Sequence, residues 1–222
     1  MDAAQIGLSR LHFPVTTLGP GKRLGIWFQG CSIRCPGCIS ADTWRAPQER
    51  IAAPDLVAQI APWLAACDGV TISGGEPFDQ VEALHALLQC LRAERDTNVL
   101  VYSGHPWEAL QPHLTQMSGL IDALISDPFV QDAPHTLALR GSDNQRLHCL
   151  TPRGQALFAG YERAQADGQR HFDLMLDAQG TVWLAGIPGR GDMRRLQTLL
   201  QADGHRAHTS EAPDKNLCTT PR

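Results

Sequence analysis

A chain of 222 residues, 43% of them hydrophobic, is long enough for one sizeable core, or for one domain with a small appendage. Its 19 basic and 23 acidic residues leave a formal net charge of −4, which gives no footprint for nucleic acid. No stretch approaches the roughly 18 continuous apolar residues of a membrane span, and Met1-Asp2-Ala3-Ala4-Gln5 lacks the basic and apolar regions of a signal peptide, so a cytoplasmic protein that binds neither membrane nor nucleic acid is expected.

Leu24 to Gln29 reads as the first strand. Pro54 to Cys67 carries Leu56, Val57, Ile60 and Leu64 at helical spacing, with Asp55 in its first turn. Val70 to Ser73 is a short β-branched strand, and Val81 to Arg92 a helix with Leu84, Leu87, Leu88 and Leu91 on one face. Asn98 to Tyr102, Trp107 to Leu114 and Ile121 to Ser126 continue the alternation as strand, helix and strand. Strands alternating with helices predict parallel βαβ units, so the fold class is α/β. A complete eight-fold barrel takes about 250 residues, and this chain suits a partial, open βα barrel better.

After Pro152 the pattern changes. Phe172 to Asp177 and Thr181 to Leu184 alternate around Ala178-Gln179-Gly180 as a β-hairpin, and Met193 to Gln201 reads as a terminal helix. The expected organisation is a core over residues 1–151, a hairpin-plus-helix appendage over 152–208 that packs on the core, and a disordered polar tail over 209–222.

The chemistry concentrates after the first strand. Cys31, Cys35 and Cys38 form a C-x3-C-x2-C run on one short loop. Three thiols there can each ligate an iron of a cubane cluster and leave the fourth iron open, as a catalytic metal position is. Structural zinc is the alternative, but it wants a closed set of four, and no second Cys or His pair stands nearby to supply it. In a reducing compartment, seven cysteines are not read as disulfides. Cys67, Cys90 and Cys149 are expected to be small packed hydrophobes and Cys218 to be exposed, so one cluster is expected. The second motif is Gly74-Gly75-Glu76-Pro77, at the end of the 70–73 strand. Two glycines allow close approach of the backbone to a ligand, Glu76 offers a carboxylate to a cationic amine, and Pro77 fixes the turn. Both motifs follow strand C-termini, where parallel sheets bind ligands.

Together these motifs resemble the radical S-adenosylmethionine (SAM) enzymes. The residue before the third cysteine is Gly37, where most members carry an aromatic one. In that respect Cys35-Pro36-Gly37-Cys38 is similar to the activating enzymes of anaerobic ribonucleotide reductase. Trp27-Phe28-Gln29-Gly30-Cys31, Thr43-Trp44, Tyr102-Ser103-Gly104, Trp107-Glu108-Ala109-Leu110, residues 121–129 and residues 139–146 extend the resemblance over about residues 8 to 150. Ser40 departs from it, since those activases usually carry Asn there.

The resemblance implies a [4Fe-4S] cluster on Cys31, Cys35 and Cys38, with SAM on the open iron. Gly74, Gly75, Glu76 and Pro77 would hold its methionine end, with Gly37 beside it and Gln29 or Trp44 lining the pocket. Ser103 and Asp127, at the ends of the next two strands, are candidates for its ribose or adenine, with helix caps and turns as the alternative. It implies no protein acid–base pair, so the nine histidines take no catalytic role. The implied reaction is reductive cleavage of SAM, with a flavodoxin-like or ferredoxin-like electron donor and a large glycyl-radical enzyme as partner. Alternatives are a small-molecule or peptide-modifying radical SAM enzyme, similar to 7-carboxy-7-deazaguanine synthase, and a non-catalytic metal-binding module.

Overall fold

Short apolar runs buried on both faces make the centre of the sheet, as parallel strands require. The computed structural model describes residues 4–165, 171–176 and 180–209. In chain order its strands and helices are β1 (Gln5–Ile6), β2 (Leu8–Val15), β3 (Arg23–Phe28), β4 (Ile51–Ala52), α1 (Ala53–Ala66), β5 (Gly69–Gly74), α2 (Val81–Glu94), β6 (Asn98–Tyr102), α3 (Trp107–Gln116), β7 (Ala123–Ser126), β8 (Arg146–Cys149), α4 (Pro152–Phe158), β9 (Phe172–Leu176), β10 (Val182–Gly186) and α5 (Asp192–Ala202). Residues 210–222 of the expected tail, Cys218 among them, the centre of the hairpin turn at residues 177–179, residues 166–170 and residues 1–3 lie outside the described residues.

One six-stranded sheet runs in the order β2-β3-β5-β6-β7-β8. Its four inner strands, β3, β5, β6 and β7, are mutually parallel, which the alternating pattern predicts. Both outer strands are antiparallel additions that the pattern does not reveal. β2 is half-buried along most of its length and contains Pro14, which an edge strand tolerates because the missing N–H costs it no ladder bond. β8 is four residues long and holds Arg146 and His148.

Alternate residues of the inner strands serve opposite faces. Leu24, Ile26, Val70, Ile72, Val99, Val101 and Leu124 join the buried faces of α1 and α2, contributed by Leu56, Ile60, Leu84, Leu87, Leu88 and Leu91. Full burial of each such side chain stabilises by about 1.5–3 kcal/mol over exposure. On the opposite face Leu100, Ala123 and Ile125 pack with Leu139 and Phe158, and Trp27 packs with Val15, Leu18 and Ala185 of β10. α4 therefore belongs to the packing of the sheet. Thr151 caps it, and its hydroxyl donates to the Asp122 carboxylate at 2.6 Å. A buried arginine, Arg23, is satisfied on this same face. It donates to Thr71, Asn98 and the Val70 carbonyl and lies over the Phe158 ring. Burial lowers its pKa to about 10, which still leaves it charged. No helix among the described residues is long and apolar enough to cross a membrane.

Candidate functional site

The cysteine loop leaves the C-terminal end of β3 and is fixed by bonds from its own backbone. Gly30 takes φ +104°, open to glycine and strained for other residues, and its N–H donates to the Thr43 carbonyl at 2.8 Å. Cys38 N–H donates to the Cys35 carbonyl at 3.1 Å, closing a tight turn around Gly37. Asp79 ties the loop down from outside, accepting from Ser32 N–H at 2.7 Å and from the Ser32 hydroxyl at 2.9 Å. The oxygen that accepts from the Ser32 hydroxyl, Oδ1, also lies 3.1 Å from His105 Nε2.

Cys31, Cys35 and Cys38 are half-buried, in no disulfide, and line one cavity of 110 Å³ together with Gly74, Gly75 and Glu76. Among the described residues no three His, Cys, Asp or Glu side chains converge on a point fit for a single metal ion. A cubane makes a different demand, because its thiolates ligate separate irons. Burial raises the pKa of Cys35, and pushes the Cys38 thiol up to about 11. Both are neutral thiols at pH 7, so metal loading must displace their protons. The indole N–H of Trp44 is buried without a partner of ordinary hydrogen-bond length, and among the groups acting on Cys38 it favours the thiolate. Clustered thiols, an open cavity and an indole N–H beside one sulfur suit a thiolate-held cluster.

Gly74 and Gly75 are required by the approach of this chain to itself. Gly74 takes φ +109°, and a Cβ there would lie 2.4 Å from the Phe28 nitrogen. At Gly75 it would lie 2.0 Å from the Gly30 carbonyl oxygen. The two motifs are zipped together, with Gly75 N–H donating to the Phe28 carbonyl and Glu76 N–H to the Gly30 carbonyl, each at 2.8 Å. The close approach seen here is to the end of β3 and the start of the cysteine loop, at Phe28 and Gly30. Glu76 is buried. One carboxylate oxygen accepts from Phe78 N–H and from the Ser103 hydroxyl, both at 2.9 Å, and the other accepts from Gly104 N–H at 2.7 Å. Even with these donors, burial pushes its pKa up to about 7. The carboxyl is thus poised between neutral and charged near physiological pH.

The remaining predicted residues divide. Ser103 lines the cavity, but its hydroxyl is engaged by Glu76. Trp44 lines the cavity, while the Gln29 amide turns away to the Arg45 carbonyl at 2.8 Å. Pro77 is buried under the site as the start of a short 3-10 turn. Gly37 lines a neighbouring cavity instead, at φ +73°, with Gln131 packed where a side chain would stand. Asp127, also at positive φ (+80°), is outside the cysteine cavity lining. Its carboxylate accepts from Ser126 and from Arg146, which also grips Glu108. Partial burial would raise the pKa of Asp127, but the Arg146 and Ser126 bonds outweigh it and hold it low. Sequence reading misses Asp79 and His105. Asp79 lies in the first turn after Pro77, where an acidic residue reads as a helix-start signal.

Comparison with known proteins adds a family. A profile described as a 4Fe-4S single cluster domain matches residues 17–148. The anaerobic ribonucleoside-triphosphate reductase-activating protein of Escherichia coli (strain K12) is 31% identical over 148 residues, which span 63% of this chain and 96% of that protein. The protein of the same name from Enterobacteria phage T4 is 27% identical over 136 residues, covering 58% of this chain and 85% of its own length. The pyruvate formate-lyase-activating enzyme of Staphylococcus epidermidis (strain ATCC 12228 / FDA PCI 1200) is 30% identical over 143 residues, covering 60% and 56%.

Proposed function

Because the chain belongs to the 4Fe-4S single cluster domain family, and within it to the anaerobic ribonucleoside-triphosphate reductase-activating proteins, we propose that it cleaves SAM reductively and generates a glycyl radical on a partner enzyme. The observation that carries this reading is one cavity lined by Cys31, Cys35 and Cys38 and by Gly74, Gly75 and Glu76. A cluster held by these cysteines would supply the one electron that splits SAM into methionine and a 5′-deoxyadenosyl radical, which would take a hydrogen atom from substrate.

The roles of this chain's residues follow from their surroundings. Cys31, Cys35 and Cys38 hold the cluster as thiolates. Trp44 supports the Cys38 sulfur, and Asp79 positions the loop through Ser32. Glu76 receives the methionine ammonium, held in place by Ser103 and Gly104. Gly74 and Gly75 keep the backbone close to the cluster loop. Ser103 acts through Glu76, and Asp127 through the Arg146 network. Pro77 and Gly37 shape the site from below and beside. The sheet is read as a partial, open barrel, with residues 152–208 forming its appendage. Reduction comes from a flavodoxin-like or ferredoxin-like donor, and the setting is cytoplasmic. A 7-carboxy-7-deazaguanine synthase-like activity is the second reading, favoured only by the 320 Å³ cavity beside the cysteines.

The test is anaerobic. Protein reconstituted with iron and sulfide is mixed with SAM and dithionite, and 5′-deoxyadenosine is quantified against a Cys31/Cys35/Cys38→Ala variant. The wild type is expected to hold about four irons per chain, as a cubane requires, and to form product. The variant should hold no cluster and form none. A wild type that retains no iron would overturn the proposal.

A further inference from the structure

One short turn grips the chain on both sides of Cys31. Before it, the Gly30 carbonyl accepts from Glu76 N–H; after it, Ser32 donates twice to the Asp79 carboxylate. Glu76 caps the 3-10 turn that contains Asp79, and Asp79 N–H donates to the Glu76 carbonyl at 3.1 Å. Gln80, the next residue of the turn, donates to the Gln29 carbonyl at 2.9 Å. The segment that presents the Glu76 carboxylate therefore also holds both neighbours of the first cysteine.

His105 closes this arrangement into a ring. Its Nε2 lies 3.1 Å from Asp79 Oδ1, and a carboxylate only accepts, so Nε2 carries the hydrogen of that contact. The His105 backbone N–H donates to the Ser103 hydroxyl oxygen at 3.1 Å, and the same hydroxyl donates to Glu76 Oε1 at 2.9 Å. From Glu76 through Ser103, His105 and Asp79 back to Glu76, every link is a hydrogen bond. The His105 carbonyl accepts from Asp127 N–H at 2.9 Å, which fixes the ring to the chain just past β7. The side chains of His105 and Asp79 are only half-buried, so changing them leaves the apolar core intact.

We propose that His105 is a positioning residue which, through Asp79, holds Cys31 in register with Glu76. This rests on the function proposed above and names what keeps its cluster ligand and its ammonium-binding carboxylate at a fixed spacing. The imidazole is outside the lining of the cysteine cavity, so its action runs through Asp79 and Ser32. Bonds that share a donor or acceptor strengthen one another, and removing His105 loosens the Ser32 end without touching a thiol. A ligand that must meet Glu76 and the cluster together binds best when their spacing is set beforehand. Asp79 alone would tie the loop to its own turn. His105 adds a support from the end of β6, beside Ser103 and Gly104, the donors that orient Glu76.

Two measurements on the full chain test this. In metal-free protein, amide exchange at Ser32 reads the strap directly, because that N–H donates to Asp79 at an exposed site. In protein reconstituted with iron and sulfide, SAM affinity is measured by anaerobic calorimetry, and the EPR spectrum of the reduced cluster is recorded with and without SAM. His105→Leu removes the donor, and His105→Gln restores an amide N–H. Asp79→Ala removes the acceptor, and Glu82→Gln, an exposed carboxylate three residues beyond it, is the control. Asp79→Ala should quicken Ser32 exchange about ten- to a hundredfold, the worth of a hydrogen bond to a charged group. His105→Leu should quicken it about threefold or more and weaken SAM binding as much, with iron content unchanged and a smaller SAM-induced change in the spectrum. His105→Gln and Glu82→Gln should stay within about twofold of wild type. Exchange across β5 and β6 should not change, which separates local release from unfolding. The proposal is overturned if His105→Leu leaves either Ser32 exchange or SAM affinity unchanged, or if His105→Gln is as impaired as His105→Leu. A wild type that retains no iron fails the function, and the metal-free exchange then decides the strap alone. Protein that yields 5′-deoxyadenosine without an exchange contrast keeps the function and loses the strap.

Discussion

Leu24, Ile26, Val70, Ile72, Val99, Val101 and Leu124 are fully buried in the parallel sheet, whereas α5 buries no residue and the hairpin leaves Leu174, Leu176 and Val182 more than half exposed. Among the described residues of the hairpin only Ala185 is buried, against Val15, Leu18 and Trp27, and polar anchors hold the rest. Asp173 accepts from the N–H and hydroxyl of both Thr16 and Thr17. Arg10 lies between the rings of Trp27 and Trp183, 5.5 Å from each. The sheet thus derives its stability from apolar area, which is non-directional and distributed, and the appendage from a few directional contacts at named residues. A region held in the second way can be altered at one residue without unfolding the first. The cysteine and glycine motifs stay on the rigid part.

The largest effect on stability should come where the two motifs touch within the sheet. In Gly75→Ala the new methyl would stand 2.0 Å from the Gly30 carbonyl oxygen, a backbone atom that cannot rotate away. Overpacking of this kind costs about 1–3 kcal/mol, and we expect the upper end, with a lower denaturant midpoint at unchanged slope. Iron retention should fall too, since the displaced atom belongs to the residue before Cys31. A midpoint within about 0.5 kcal/mol of wild type, the usual range of a surface change, would mean that the sheet and the cysteine loop are not rigidly joined.

Next comes Glu76. Burial holds its pKa at about 7 in the folded chain against a reference of 4.5. The folded state therefore keeps a proton that the unfolded chain sheds, and this contribution to stability is full below about pH 4.5 and is lost as pH rises through 7. A bound ammonium acts the other way, because an opposite charge favours the ionised carboxylate. SAM affinity should rise from pH 6 to 8, with uptake of SAM releasing a proton, measurable by calorimetry in buffers of different ionisation heat. Glu76→Gln should flatten that profile and weaken binding about ten- to a hundredfold, the worth of one charged hydrogen bond. An unchanged profile in the variant would move the ammonium site away from Glu76.

The contrast also explains what could be read from the chain. β3, β5, β6 and β7 were legible because each is an apolar run with no competing period, and α1 and α2 because their leucines repeat at helical spacing. β2 was not, since Ser9, Arg10 and His12 interrupt its apolar residues and Pro14 argues against a strand. β8 is too short to show a period. Cysteine spacing is local information and suffices for Cys31, Cys35 and Cys38. By contrast, the bond from Asp79 to Ser32 spans 47 residues and depends on the register of β3 against β5, which no local pattern contains. For Asp127 the strand-end position was readable, but its engagement by Arg146, 19 residues later, was not.

The smallest effects should separate anchor from surface within the appendage itself. Asp173→Ala removes the acceptor of four bonds at once, and hydrogen bonds to a charged group contribute about 1.5–3 kcal/mol. That loss falls on docking of the hairpin, because Thr16 and Thr17 lie just past the end of β2 and remain attached to the sheet without it. Amide exchange across β9 and β10 should therefore quicken by ten- to a hundredfold, and protease should cut the hairpin, while the denaturant midpoint of the sheet barely moves. Leu174→Ser, on a side chain 69% exposed, should change neither quantity by more than about 0.5 kcal/mol. If Leu174→Ser loosens the hairpin as much as Asp173→Ala does, the exposed leucine face contributes to docking after all. The appendage would then share the physics of the sheet, and the distinction between a rigid core and an adjustable hairpin would fail.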